Sequence, residues 1–202
     1  MSRFAVLLVL ALLAPGCVPV LVGAGGAAAV TSLEDRRSTG AQIDDESIEI
    51  RASNRVSDRF GDRVHVNVTS YNRIALLTGE VPDERAREEA EKIVLAVPNV
   101  RGITNDLQVA GVSSFGSRAN DSYLTTKVRG RLLDTQRISP VHVKVVSEAG
   151  VVYLMGIVTE PEADEAVEIA RTTGGVRKVV KVFEYCKPGD ERCPPSSRKA
   201  GS

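Results

Sequence analysis

His65-Val66-Asn67-Val68 returns 77 residues later as His142-Val143-Lys144-Val145. The same offset pairs Gly79 with Gly156, Val81 with Val158 and Ala86 with Ala163. After a one-residue deletion, Ile93 pairs with Ile169, Val100-Arg101 with Val176-Arg177, and Ile103 with Val179. Matches kept in order over such a distance mark a duplicated unit, each copy a single supersecondary module.

Both copies read as helix, strand, strand, helix, strand. The opening helix of copy one is expected after Asp44 or Asp45 as N-cap, with Ile48, Ala52, Val56 and Phe60 on one face. Its counterpart is expected to begin near Asp121, with Leu124, Val128 and Leu132 as the apolar stripe. Strand pairs are expected over 64–70 and 73–79, then over 141–147 and 151–158, turning at Tyr71-Asn72 and Glu148-Ala149-Gly150. Second helices are expected over 83–96 and 162–172, where Pro161 suits a first helical position, and last strands over 100–109 and 176–185. The fold class is therefore α+β: two tandem units, each a three-stranded sheet with its helices on one face. A unit of about 65 residues is marginal alone, and a sheet covered on one face leaves the other bare. The two copies are expected to pack together. This divides the chain into a first domain over 44–110, a linker over 111–119, a second domain over 120–186 and a tail over 187–202.

The 202 residues carry 26 basic and 26 acidic side chains. A balanced charge argues against a chain built to neutralise a nucleic-acid backbone, so no nucleic-acid partner is expected. A charged fraction of 26% with 17 Gly and 9 Pro argues against a mostly disordered chain.

Arg3 is the only charge before Glu34, and Phe4 to Ala14 is an apolar run too short to span a bilayer, which takes about 20 residues. This describes a secretory signal over 1–16. Leu12-Leu13-Ala14-Pro15-Gly16-Cys17 resembles a bacterial lipobox, which would make Cys17 the lipidated, palmitate-bearing N-terminus, although Ala14 and Pro15 depart from the usual pattern. The other reading, an anchor helix continued through Ala28, is interrupted by Pro15, Gly16, Pro19 and Gly23 to Gly26. Residues 17–43 then read as a Gly/Ala-rich tether. Val18, where an Asp would signal inner-membrane retention, implies sorting to the outer membrane. Export also suits a disulfide between Cys186 and Cys193, which flank a Pro188-Gly189 turn.

The Gly-x-Val, the Ala seven residues after that Gly, and the Val-x-x-Val/Ile leading into the last strand together resemble the BON domain, a bacterial module common in periplasmic proteins and often in tandem. Ser38 to Asp45, Asn120 to Val128 and Val152 to Glu160 extend the resemblance to dual-BON outer-membrane lipoproteins, from the lipobox to about Tyr185. That resemblance implies an outer-membrane protein, lipid-anchored at the periplasmic face, enriched at the division site and associated with outer-membrane assembly machinery. It also implies binding of anionic phospholipid, phosphatidylglycerol or cardiolipin, through the first helix of the second domain.

No enzyme motif is present: there is no H-E-x-x-H, paired C-x-x-C or G-x-S-x-G. No catalytic residue and no cofactor are expected. His65 and His142 occupy equivalent strand positions, and two histidines without further ligands make a poor metal site, so none is expected. The carboxylates of the second helices, Glu84, Glu88, Glu89 and Glu91, then Glu162, Asp164, Glu165 and Glu168, read as solvated faces.

The opening helices differ. Tyr123, Lys127 and Arg131 fall within about 80° of one another, beside the Leu124/Val128/Leu132 stripe. Copy one has Ser47, Arg51 and Arg55 there, with Glu46 and Glu49 weakening the field. A tyrosine beside long basic side chains suits a membrane interface. The expected lipid-binding set is Tyr123, Leu124, Lys127, Val128, Arg131 and, from the resemblance, Leu133. The family commonly carries Trp where Tyr123 stands. The competing expectation is a periplasmic protein-interaction scaffold whose lipid contact is incidental.

Overall fold

A computed structural model describes residues 35–135, 137–187 and 189–193. The leader, Cys17, the tether through residue 34 and the tail beyond Cys193 lie outside the described residues.

Copy one comprises α1 (Thr39–Phe60), β1 (His65–Tyr71), β2 (Ile74–Val81), α2 (Glu84–Leu95), β3 (Gly102–Asn105) and β4 (Gln108–Val109). Copy two comprises α3 (Phe115–Asp134), β5 (Val143–Glu148), β6 (Val151–Val158), α4 (Glu160–Arg171) and β7 (Lys178–Tyr185). In each, a hairpin pairs the first two strands antiparallel, and the chain returns through a helix to lay its last strand parallel to the middle one. The duplicated order is as the repeat requires.

Five local readings are corrected. Both opening helices begin earlier than expected, because Ser38 and Ser114 are the N-caps: Ser38 Oγ accepts from Ala41 N at 3.1 Å, and Ser114 Oγ from Ser117 N at 3.2 Å. The expected linker residues 115–119 are thus the first turn of α3. Asp45 is buried inside α1 instead of capping it, and Asp121, near which the second opening helix is expected to begin, is buried inside α3. The first hairpin turns at Asn72-Arg73, not Tyr71-Asn72. The last strand of copy one is broken, since Asn105 Oδ1 accepts from Leu107 N and the kink drives Leu107 into the core.

The two aspartates explain the turns. Asn72 and Arg73, like Ala149 and Gly150, all have positive φ, the conformation of a tight two-residue hairpin. Arg73 and Ala149 are poorly suited to it. Asp45 accepts from Ser70 Oγ at 2.7 Å, Asn72 N at 2.8 Å and Arg73 N at 2.6 Å. Asp121 accepts from Ala149 N and Gly150 N, each at 2.9 Å. Each helix therefore holds the turn of its own hairpin from above. The repeated glycines have a separate reason: a Cβ on Gly79 would lie 2.0 Å from His65 O, and one on Gly156 2.2 Å from His142 O.

The central strands are buried on both faces, because side chains alternate across a strand. Ala75, Leu77 and Val81 of β2 join Ile48, Ala52, Val56, Ala90 and Val94 in the core of copy one. Val152, Leu154 and Val158 of β6 join Leu124, Val128, Leu132, Ala166 and Ala170 in that of copy two. The alternate residues, Leu76 of β2 with Tyr153, Met155 and Ile157 of β6, form a third cluster between the sheets together with Tyr71. The bare faces cover each other.

Polar groups fix this junction. Tyr153 donates to Asp106 Oδ2 at 2.7 Å, Asn72 to Glu184 at 2.7 Å, and Lys144 Nζ to Glu49 at 2.6 Å. Burial and the Asp106 carboxylate push the Tyr153 phenol up from its ordinary value. Arg36, just before α1, reaches into copy two, donating to Ile157 O and to both oxygens of Glu162. Cys186 and Cys193 are joined in a disulfide, with Cα atoms 6.2 Å apart, and both sit in the inter-sheet cluster.

Two substitutions test this account. Asp45→Ala leaves three turn donors without their acceptor and is expected to cost about 2–4 kcal/mol in urea unfolding. Leu76→Ala, on the face turned away from its own helices, is expected to cost about 2–5 kcal/mol. A smaller loss for Leu76, within the range of exposed sites, would mean that the inter-sheet cluster does not hold in solution.

Candidate functional site

Helix α3 carries the expected lipid-binding residues, and the structure divides them. Leu124 and Val128 are 2% and 0% exposed, in the core of copy two, so they are corrected to packing residues that no lipid reaches. Lys127 Nζ donates to Gly174 O at 2.9 Å. Arg131 Nη1 donates to Ile169 O at 2.8 Å and to Thr173 Oγ1 at 2.7 Å. Both cations thus serve carbonyls at the C-terminal end of α4, where the helix dipole favours positive charge. Tyr123 and Leu133 stand 66% and 65% exposed.

The early start of α3 adds Phe115, which is 81% exposed. Ser114 directly before it was the signal that would have placed it on the helix. At 100° per residue, Phe115, Ala119, Ser122, Tyr123, Thr126, Gly130 and Leu133 fall in one arc of about 100° centred opposite the core stripe. No residue in that arc is charged. Arg118 and Arg129 border it on one side, and Lys127 and Arg131 lie beyond the other, with Asp134 at its C-terminal end. Helix α1 offers a different surface. Its outer arc holds the exposed Ile43 and Ile50, but Glu46 and Asp58 stand at the borders.

A groove of about 430 Å³ runs beside the C-terminal end of α3, lined by Leu132, Leu133, Arg129 and Val143 and also by Asp35 and Arg37. The chain therefore enters the described region next to the exposed Leu133. Among the described residues, no helix is long and apolar enough to cross a membrane.

The second-helix carboxylates are not all solvated. Glu162 receives Arg36 from outside the domain, closes a capping box with Thr159, and faces His142 Nδ1 at 3.8 Å. Burial alone would raise its carboxyl, but the nearby His142 imidazole and the hydrogen bonds from Arg36 and the Thr159 backbone outweigh it and hold the group well below its ordinary 4.5. The two histidines do not share a site. The expectation that they lack further ligands fails for His65: a ring nitrogen and carboxylate oxygens of Glu80 and Glu148 all lie within 4.8 Å of one another. Burial pushes the Glu148 carboxyl up, and the neighbouring Glu80 and Asp121 charges add to this, against the hydrogen bond from Asn67.

The BON domain family matches residues 42–111 and 120–187, most of the chain. The protein belongs to the BON-domain family. It is 38% identical to the outer membrane lipoprotein DolP of Haemophilus influenzae over 187 residues, covering 92% of this chain and 96% of that one. It is 35% identical to a 21 kDa hemolysin of Actinobacillus pleuropneumoniae, covering 75% of this chain and 79% of the relative. Identity to the osmotically-inducible protein Y of Escherichia coli is 28%, over 69% of this chain and 72% of the relative. This is a DolP-like, dual-BON protein, and α3 is the first helix of its second BON domain.

A pH-dependent consequence follows from Glu162. A carboxyl depressed in the folded state stabilises fully above its unfolded value, and that contribution fades as pH falls through the folded one. The stability difference between the parent and Glu162→Gln is expected to be full above roughly pH 5 and to shrink steadily below about pH 4.5. Urea midpoints measured between these limits check it; a difference independent of pH would show that the Arg36 and His142 contacts do not bias the carboxylate.

Proposed function

We propose that this protein is a non-enzymatic lipoprotein, held at the periplasmic face of the outer membrane through Cys17, whose second BON domain lays the outer face of α3 on anionic phospholipid and so supports envelope integrity. One observation carries the reading: an uncharged arc with exposed Phe115, Tyr123 and Leu133 runs along the helix, with basic side chains on both flanks. An aromatic ring settles at headgroup level while flanking arginines and lysines keep their charges among the phosphates. Each basic residue near an anionic surface contributes about 1 kcal/mol, so the helix alone binds weakly, and a lipid anchor raises its effective concentration. The chain from Cys17 enters beside Leu133, on the side where such an anchor would help. The similarity to the outer membrane lipoprotein of Haemophilus influenzae supports the outer-membrane lipoprotein part of the reading. Division-site enrichment and contact with assembly machinery, implied by the family resemblance, belong to the same proposal.

A second reading rests on α1. Exposed Ile43 and Ile50 between acidic borders fit a protein partner better than an anionic membrane, which would make the first domain the scaffold.

The test is co-sedimentation of the full chain with phosphatidylglycerol, cardiolipin or phosphatidylcholine vesicles at two salt concentrations. Binding is expected only to the anionic vesicles and to weaken with salt. Tyr123→Ala and Arg118→Glu are each expected to weaken it about fivefold or more. Arg118 is chosen because its side chain makes no bond among the described residues. Unchanged binding in both variants would remove the site from α3, and a crosslinked protein partner mapping to Ile43 and Ile50 would favour the second reading.

A further inference from the structure

The junction between the two domains holds a cluster that the lipid-facing helix does not use. His65 at the start of β1, Glu80 near the end of β2 and Glu148 at the end of β5 converge from three strands and both domains. His65 Nδ1 lies 3.1 Å from Glu80 Oε2. Asn67 Nδ2 donates to Glu148 Oε2 at 2.7 Å, Thr78 Oγ1 to the same oxygen at 3.4 Å, and Ser113 N to Glu80 Oε2 at 3.1 Å. Every one of these bonds goes to Oε2. No donor among the described residues reaches Oε1 of either glutamate, although both side chains are more than nine-tenths buried. Among the described residues, neither carboxylate is paired with an arginine or lysine.

We propose that His65, Glu80 and Glu148 bind a divalent transition-metal cation, with Zn²⁺ as the best-fitting class, and that the bound ion joins the two domains. Two buried carboxylates need a compensating cation, and their only ionisable partner among the described residues is an imidazole. One nitrogen and two carboxylate oxygens are a donor set that zinc accepts, leaving a fourth position for water. The centre of a triangle with sides no longer than 4.8 Å lies within about 2.8 Å of every corner. Zinc bonds to these donors are about 2.0–2.2 Å, so side-chain rotation of well under 1 Å would close the site. Asn67 and Thr78 already hold Glu148, and Ser113 holds Glu80, as second-layer partners do in metal sites. An entry path exists: His65, Asn67 and Glu148 line a cleft of about 380 Å³ that opens between the domains. The cations in its wall do not occupy the cluster. Lys144 is paired with Glu49, and Arg129 reaches Val145 O.

The experiment uses the full chain, treated with chelator and then titrated with Zn²⁺ alone by calorimetry, with Co²⁺ as a spectroscopic substitute. One equivalent of Zn²⁺ is expected to bind, to raise the unfolding temperature, and to compete with Co²⁺ for a site with visible absorption. His65→Ala and Glu148→Gln are each expected to lower affinity about tenfold or more and to abolish the thermal shift. Glu80→Gln, which keeps the size of the side chain, serves where His65→Ala does not fold. Absence of uptake by the parent, or equal uptake by the parent and all folded variants, would overturn the proposal. Neither result bears on the vesicle measurement with Tyr123→Ala, since Tyr123 stands outside the cleft.

Discussion

Two buried aspartates govern the architecture. Asp45 and Asp121 each sit on the inner face of a long helix, where a charged side chain is costly unless it is fully bonded. The donors come from a hairpin turn whose backbone has positive φ at both central residues, joined at Asp45 by the Arg37 guanidinium at 2.9 Å. Neither part is favourable alone: the carboxylate needs the turn, and a turn made from Asn-Arg or Ala-Gly needs the carboxylate. Their union fixes where each helix crosses its hairpin. The rest of each unit follows, because a helix pinned at that point lays Ile48 to Phe60, or Leu124 to Leu132, directly over the middle strand.

That arrangement leaves the opposite face of each middle strand apolar, and the junction between the domains is the consequence. It carries an apolar centre of Leu76, Tyr153, Met155 and Ile157, surrounded by polar pairs that cross from one domain to the other. The junction therefore has a defined register, since Tyr153 must reach Asp106 and Asn72 must reach Glu184. It also brings together side chains far apart in sequence, and the histidine and two glutamates at its edge are the clearest instance.

Much of the fold was legible in the sequence. Periodicity of apolar residues is a direct record of burial, so the order of elements and the packing faces could be read from Ile48, Ala52, Val56 and their counterparts. The helix starts differ because Asp44 and Asp45 are good N-caps by residue type, while the serines that do the capping stand among residues with linker-like composition. The lipid-facing helix was legible in outline through Tyr123. Its geometry was not: which cations are committed to the end of α4, and which residues form the uncharged arc, depend on where α3 begins and what packs beside it. The His65 cluster was beyond reach because Glu80 and Glu148 meet it only through strand pairing and domain docking.

The inter-sheet face has one further implication. Leu76 and Tyr153 occupy equivalent positions in the repeat, as do Thr78 and Met155, and Glu80 and Ile157, so both copies meet through the same surface. A solitary copy would present this surface to water and to any other solitary copy, and its stability would depend on how many neighbours were dissolved around it. Joining two copies by a few residues before Ser114 makes the neighbour permanent, at an effective concentration in the millimolar range or above. Dilution then no longer matters to the pairing. Each half is released from the need to match itself, and the two helices facing outward are free to acquire different surfaces.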